Sequence, residues 1–172
     1  LMTNQVLNDS EPVKVIDVET LDDESLILPI AMMGAPTVII EKFPSGNEFE
    51  QLVSMMEKLM QKKVSAILCI EAGGLNSTIP FVAAAKLGLP IVDGDAMGRA
   101  FPELQMVSFT LGGLKATPMA LLDDKGNGCT FDTIDNNWTE KLARAITIQM
   151  GGAAMVSLYP VTAKQCKQHL VK

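Results

Sequence analysis

The sequence predicts an α/β protein: a three-layer α/β/α sandwich around a mixed, mostly parallel sheet, with a small antiparallel hairpin insertion. Three observations carry this. Strand-like apolar runs alternate with helical patterns, several of those runs end in glycine or acid, and Asp124-Lys125-Gly126-Asn127 marks a turn between two strand-like stretches. The 172 residues contain no repeat, low-complexity tract or linker. At 48% hydrophobic they supply one substantial core, so a single domain over 1–172 is expected.

Val13 to Val18 and Leu26 to Ala31 read as strands, separated by the acidic turn Asp22-Asp23-Glu24-Ser25. From Gly46 to Lys62, Phe49, Leu52, Val53, Met56, Leu59 and Met60 recur at helical spacing, with Ser45 or Asn47 as the cap. Val64 to Ile70 is a strand, Leu75 to Leu87 an alanine-rich helix, and Leu89 to Val92 a short buried strand. Gln105 to Thr110 and Pro118 to Leu122 are strand-like, and the turn at Gly126 leads into Gly128 to Thr133. Trp138 to Met150 is helical, with Leu142, Ala145, Ile146 and Gln149 on the period and Gly151-Gly152 ending it. A last strand, Ala154 to Tyr159, precedes a last helix, Thr162 to Val171.

Charge and composition exclude several function classes. A net charge of -6 disfavours nucleic acid, whose phosphates call for clustered lysine and arginine. No apolar stretch nears the roughly 20 residues that span a bilayer, and the first residues lack the order of a secretory signal, so a cytoplasmic location is expected. Cys69, Cys129 and Cys166 form no paired motif and read as reduced thiols, Cys69 as a small buried hydrophobe. The single histidine, His169, sits among lysines and reads as part of a solvated helix face, which leaves a serine triad or a histidine-rich zinc site unsupported. Eleven methionines suggest an adaptable apolar surface, with a subunit interface as one candidate.

Three constellations carry chemistry. In Asp93-Gly94-Asp95, Arg99 and Glu103, acids and an arginine follow a strand, the edge at which open α/β sheets bind ligands. The carboxylates suit a divalent metal or a tuned base, and Arg99 suits a substrate carboxylate or carbonyl; the same residues also suit a capped turn. In Glu71-Ala72-Gly73-Gly74-Leu75-Asn76-Ser77, a strand runs through a glycine pair into a helix, where backbone amides fit an anion or polarised carbonyl. Helix capping by Asn76 or Ser77 explains it equally well. No Walker or Rossmann spacing is present, so nucleotide phosphates are poorly supported. The third, Ala31-Met32-Met33-Gly34-Ala35-Pro36-Thr37 with Glu41 and Lys42, is weaker, because adjacent methionines are more often packing residues.

The segments 31–37, 71–76 and 93–106, together with Ala116-Thr117-Pro118-Met119-Ala120, Asp135-Asn136-Asn137-Trp138 and Met150-Gly151-Gly152, resemble the S-methyl thiohydantoin desulfurase N-terminal-domain family. This family is associated with hydantoinases and oxoprolinases. The resemblance runs from Val13 to Thr162, and the 93–106 block is its most specific part. Members usually carry a glycine-rich segment ahead of the point matching Val13 and continue into a C-terminal domain. This sequence is expected to lack both, and it reads Asp93-Gly94-Asp95 where the family has a similar acid pair. The resemblance implies a hydrolase that acts on a small-molecule hydantoin-like ring, removing a methylthio group as methanethiol. In that reading Asp93 or Asp95 holds the water or a metal, Arg99 steadies charge, Glu71 meets a ring N–H, and the Gly73 and Gly74 amides face a ring carbonyl. Asn76 and Glu103 complete the substrate contacts, and the metal requirement stays open. The alternative is a non-catalytic accessory or binding subunit of a hydantoinase- or oxoprolinase-type system, and a homo-oligomer or a hydantoinase-type partner is the expected assembly.

Overall fold

The computed structural model describes residues 7, 11–35, 37–38 and 47–171. Among them, eight strands form one mixed sheet: β1 (Val15–Ile16), β2 (Leu26–Gly34), β3 (Val64–Leu68), β4 (Ile91–Val92), β5 (Met119–Leu122), β6 (Gly128–Phe131), β7 (Ala153–Ser157) and β8 (Val161–Thr162). Five helices accompany it: α1 (Asn47–Met60), α2 (Ile79–Leu87), α3 (Ser108–Leu111), α4 (Asn136–Gln149) and α5 (Ala163–His169). The spatial order is β1-β4-β3-β2-β7-β5-β6, with β8 pairing the start of β2.

β2 is the axis of the molecule because both of its faces are apolar. Side chains alternate across a strand. Leu26, Leu28, Ile30 and Met32 accordingly pack with Phe49, Leu52, Val53 and Met56 of α1 and with Ile79, Val82 and Ala83 of α2. Ile27 and Ala31 point the other way, into a core that includes Phe109 of α3, Ala143 of α4, Ala163 and Cys166 of α5, and Tyr159. Two helical layers thus enclose the sheet, as the sequence predicts. Pro29 is tolerated mid-strand because β2 changes partner there: Leu26 and Ile27 pair with β8, and Ile30 to Gly34 with β7.

Several expectations change. Parallel pairing is confined to β1, β4, β3 and β2, while β2, β7, β5 and β6 pair antiparallel, so the sheet is divided between the two modes rather than mostly parallel. The β5–β6 hairpin is the edge of the main sheet and not an insertion, because β5 also pairs with β7. Gln105 to Thr110 is no strand. Val107 and Phe109 are buried, which imitates strand alternation, but Ser108 to Leu111 closes one helical turn whose Ser108 N–H donates to the Ala96 carbonyl at 2.7 Å. α2 begins at Ile79, since the turn over 75–78 and Pro80 set its start.

The largest revision concerns α4, whose buried face is mostly polar. Thr139, Glu140, Ala143 and Thr147 face inward, whereas Trp138, Leu142 and Ile148 are exposed, the last at 63%. Of the predicted inward residues, Leu142, Ala145 and Gln149 therefore lie on the outer face, while Ile146 packs half-buried against the core. Methionines do not make the exposed apolar surface either. Met32, Met56, Met119 and Met155 are core, and among the described methionines Met106 is the large exposed one. His169 is half-buried and its ring packs against Gly112, so it is not a solvated face residue.

Candidate functional site

Because β2, β3 and β4 are parallel, their C-terminal ends share one edge of the sheet. Register places Met32 of β2, Glu71 beyond β3 and Asp93 beyond β4 along that edge. β3 stops at Leu68 opposite Pro29, and the side chain of Asn76 takes over the pairing. Met32 N–H donates to Asn76 Oδ1 at 2.8 Å, and Asn76 Nδ2 donates to the Met32 carbonyl at 3.0 Å. The 70–77 segment is thereby fastened to β2 as though by one more ladder rung. Part of the third constellation, Pro36, Glu41 and Lys42, lies outside the described residues.

Glu71 ties this segment to the next. Its Oε1 accepts from Asn76 Nδ2 at 2.7 Å and its Oε2 accepts from Phe101 N–H at 3.0 Å. Gly73 lies flat against the same loop, where a Cβ would stand 3.1 Å from Ala100 Cβ. The Gly73 N–H, expected to face a ring carbonyl, instead donates to Ser77 Oγ at 2.7 Å. Gly74 remains exposed, and its N–H makes no bond to a described residue.

In the 93–98 turn the two acids separate. Asp95 Oδ1 accepts from Met97 N–H at 2.7 Å and also from Gly98 N–H, and its main chain exchanges hydrogen bonds with Val171 at 3.0 and 2.8 Å. This is the capped-turn arrangement that the spacing also suited. Gly94 adopts φ +143°, and a Cβ there would meet Leu170 Cδ2 at 2.5 Å, so the residues after α5 seal this turn from one side. Asp93 and Arg99 are exposed, and neither side chain bonds to a described residue. Glu103 is also exposed and accepts from Gln105 Nε2 at 2.6 Å, apart from the Glu71 cluster.

Two cysteines near the core are inert. Burial, aided by the nearby Asp95 charge, pushes the Cys69 thiol up to about 12, and burial does the same for Cys166. Both are protonated near neutrality and unsuited to nucleophilic work. Among the described residues no three His, Cys, Asp or Glu side chains gather as a ligand set, and Asp95 Oδ1 is already saturated by amides.

Sequence reasoning missed the support behind this loop. Glu140 and Arg144 of α4 reach Leu104 and Pro102, a pair whose i,i+4 spacing on a predicted helix was the available signal. It also missed what Asn136 does. Asn136 Oδ1 accepts from Ala116 N–H at 2.8 Å and its Nδ2 donates to the Leu114 carbonyl at 3.0 Å, while Asp135 caps α4 through Trp138 N–H at 2.9 Å. Thr117, before the cis Thr117–Pro118 bond, donates to Asp132 Oδ1 at 2.5 Å.

Comparison with known proteins decides the family. The S-Me-THD-like N-terminal-domain model matches residues 1–133, and the S-Me-THD-like C-terminal-domain model matches residues 134–172. The chain belongs to the S-Me-THD-like family. Within this S-Me-THD-like chain the second match covers α4, β7, β8 and α5, so those residues share one sheet with the N-terminal match. A crystal structure of a protein from Chromobacterium violaceum superposes with a TM-score of 0.81 at 23% identity, covering 98% of this chain and 50% of that one. The chain therefore spans about half the length of that structure, and the likeness supports the fold. No curated protein matches. Among the described residues no helix is long and apolar enough to cross a membrane.

Proposed function

We propose that this S-Me-THD-like chain carries the site of a cytoplasmic hydrolase that removes the methylthio group from an S-methyl thiohydantoin or a related ring. The supporting observation is the strand-end loop in which Asp93 and Arg99 stand exposed while Glu71, Asn76 and Asp95 are consumed in holding it. Asp93 is the general base. It takes a proton from water as the oxygen attacks the amidine-like ring carbon between the two nitrogens. Arg99 neutralises charge on the ring, and the Gly74 N–H faces a ring oxygen. Collapse of the tetrahedral adduct breaks the carbon–sulfur bond. The proton held by Asp93 goes to the departing methanethiolate, the second water proton goes to ring nitrogen, and a hydantoin carbonyl remains. No step passes through a metal.

Methanethiol release, followed with a thiol reagent, tests this reading. Asp93→Asn is expected to lower kcat by about 10²–10⁴-fold, the usual contribution of a general base. Asp95→Asn should instead lower stability. An undiminished rate in Asp93→Asn removes Asp93 from the mechanism. A second reading, an accessory chain that docks to a hydantoinase-type partner or to its own copy, is favoured by the outward apolar face of α4. A stable complex on co-purification, with no ring chemistry by the isolated chain, selects it.

A further inference from the structure

Glu140 of helix α4 stands 36 residues from Leu104 in sequence, yet α4 grips the strand-end loop. Glu140 is only 7% exposed, and its Oε2 accepts from Leu104 N–H at 3.0 Å. Its Oε1 accepts from Arg144 Nε at 2.6 Å, and Arg144 Nη2 donates to the Pro102 carbonyl at 3.0 Å as well as pairing with Glu140. From the other side Glu71 Oε2 accepts from Phe101 N–H. Residues 101–104 are therefore held between two carboxylates, one on the β3 extension and one on α4.

A buried carboxylate is costly unless its oxygens are filled. Glu140 fills them with one loop amide and one arginine, and that arginine in turn holds a loop carbonyl. A helix needing only a surface ion pair would gain little from this burial. The arrangement makes sense as a clamp on the backbone immediately after Arg99.

We propose that Glu140 and Arg144 are positioning residues that fix the 99–104 loop, so that the setting of Arg99 depends on residues matched by the C-terminal-domain model. The grip on the loop is independent of the desulfurase reading; its effect on ligand rests on that reading.

The experiment has two readouts on Glu140→Ala, Glu140→Gln and Arg144→Lys. The first is amide hydrogen exchange. Glu140→Ala is expected to speed exchange at Leu104 about tenfold or more relative to the β2 and β7 amides, since it deletes that amide's acceptor. Glu140→Gln, which keeps one acceptor oxygen, should restore part of the protection. Unchanged exchange at 101–104, or a uniform rise across the sheet, overturns the clamp. The second readout is calorimetric affinity for an S-methyl thiohydantoin carboxylate. Glu140→Ala should weaken Kd about tenfold, with partial rescue by Glu140→Gln. Normal affinity despite a loosened loop overturns the role in positioning. A wild-type chain that shows no affinity for this ligand counts against the desulfurase reading, and the exchange result then decides the clamp alone.

Discussion

Replacing Asn76 tests whether a side-chain amide substitutes for a strand. In the folded chain the Asn76 amide serves both backbone groups of Met32, a residue 7% exposed, and donates a third, charge-assisted bond to Glu71. Asn76→Ala leaves the Met32 N–H and C=O without those partners. Each unsatisfied buried group costs about 1–3 kcal/mol, so a loss of about 2–6 kcal/mol is expected for the two, the smaller figure if water enters the vacated space. Asn76→Asp retains an acceptor for Met32 N–H, but it sets a second carboxylate against Glu71 and an oxygen against the Met32 carbonyl. Its cost should exceed that of alanine. Urea unfolding followed by far-ultraviolet circular dichroism measures both variants. A loss below about 1 kcal/mol for Asn76→Ala, the size of an ordinary surface change, refutes the ladder-rung argument.

Other outcomes follow from the same structure. The Cys69 and Cys166 thiols, pushed up to about 12, should resist iodoacetamide at pH 8 in the native chain and react after denaturation; rapid native labelling would contradict their burial. Burial acts to raise the Asp123 carboxyl, but hydrogen bonds from the Asn127 side chain and from Asn127 and Lys125 N–H outweigh it and hold it below the usual value of 3.8. Its contribution to stability is therefore complete above that value and fades as pH falls through the lower folded one, a loss that Asp123→Asn should abolish in acid unfolding curves. Gly34 stands at φ +138°, with the Gly152 carbonyl 2.2 Å from the place of a Cβ, so Gly34→Ala should cost at least about 1 kcal/mol in thermal unfolding. On the outer face of α4, Leu142→Glu should change stability by no more than about 0.5 kcal/mol, while reducing any self-association seen by sedimentation. A large loss there would mean that Leu142 is packed.

Much of the layout was legible in the sequence because local patterns report local structure. The continuous apolar run of β2, the helical period of α1, the glycine-bearing turn at Gly126 and the acid-rich ending of β4 each lie within a few residues of the feature they specify. The same holds for the placing of Glu71 and Asp93, which follow their strands directly. Parallel pairing of β2, β3 and β4 then had to bring those ends to one edge. The mostly polar buried face of α4 was not legible. Leu142 and Thr139 each fit a helical stripe, and which stripe turns inward is settled by Glu140 finding Leu104 and Arg144, partners distant in sequence or meaningful only once that loop is beside the helix.

Sequence alone therefore determined the α/β class, the succession of most elements and the loops that carry ionisable groups, because backbone propensity and apolar period are properties of short segments. Tertiary structure decided which of those groups are spent. Asp95 and Glu71 satisfy amides, Gly73 closes a turn with Ser77, and Asp93 and Arg99 stay exposed. The physical reason is that a hydrogen bond between distant segments exists only when both are fixed within about 3 Å of each other. No pattern within either segment encodes that distance.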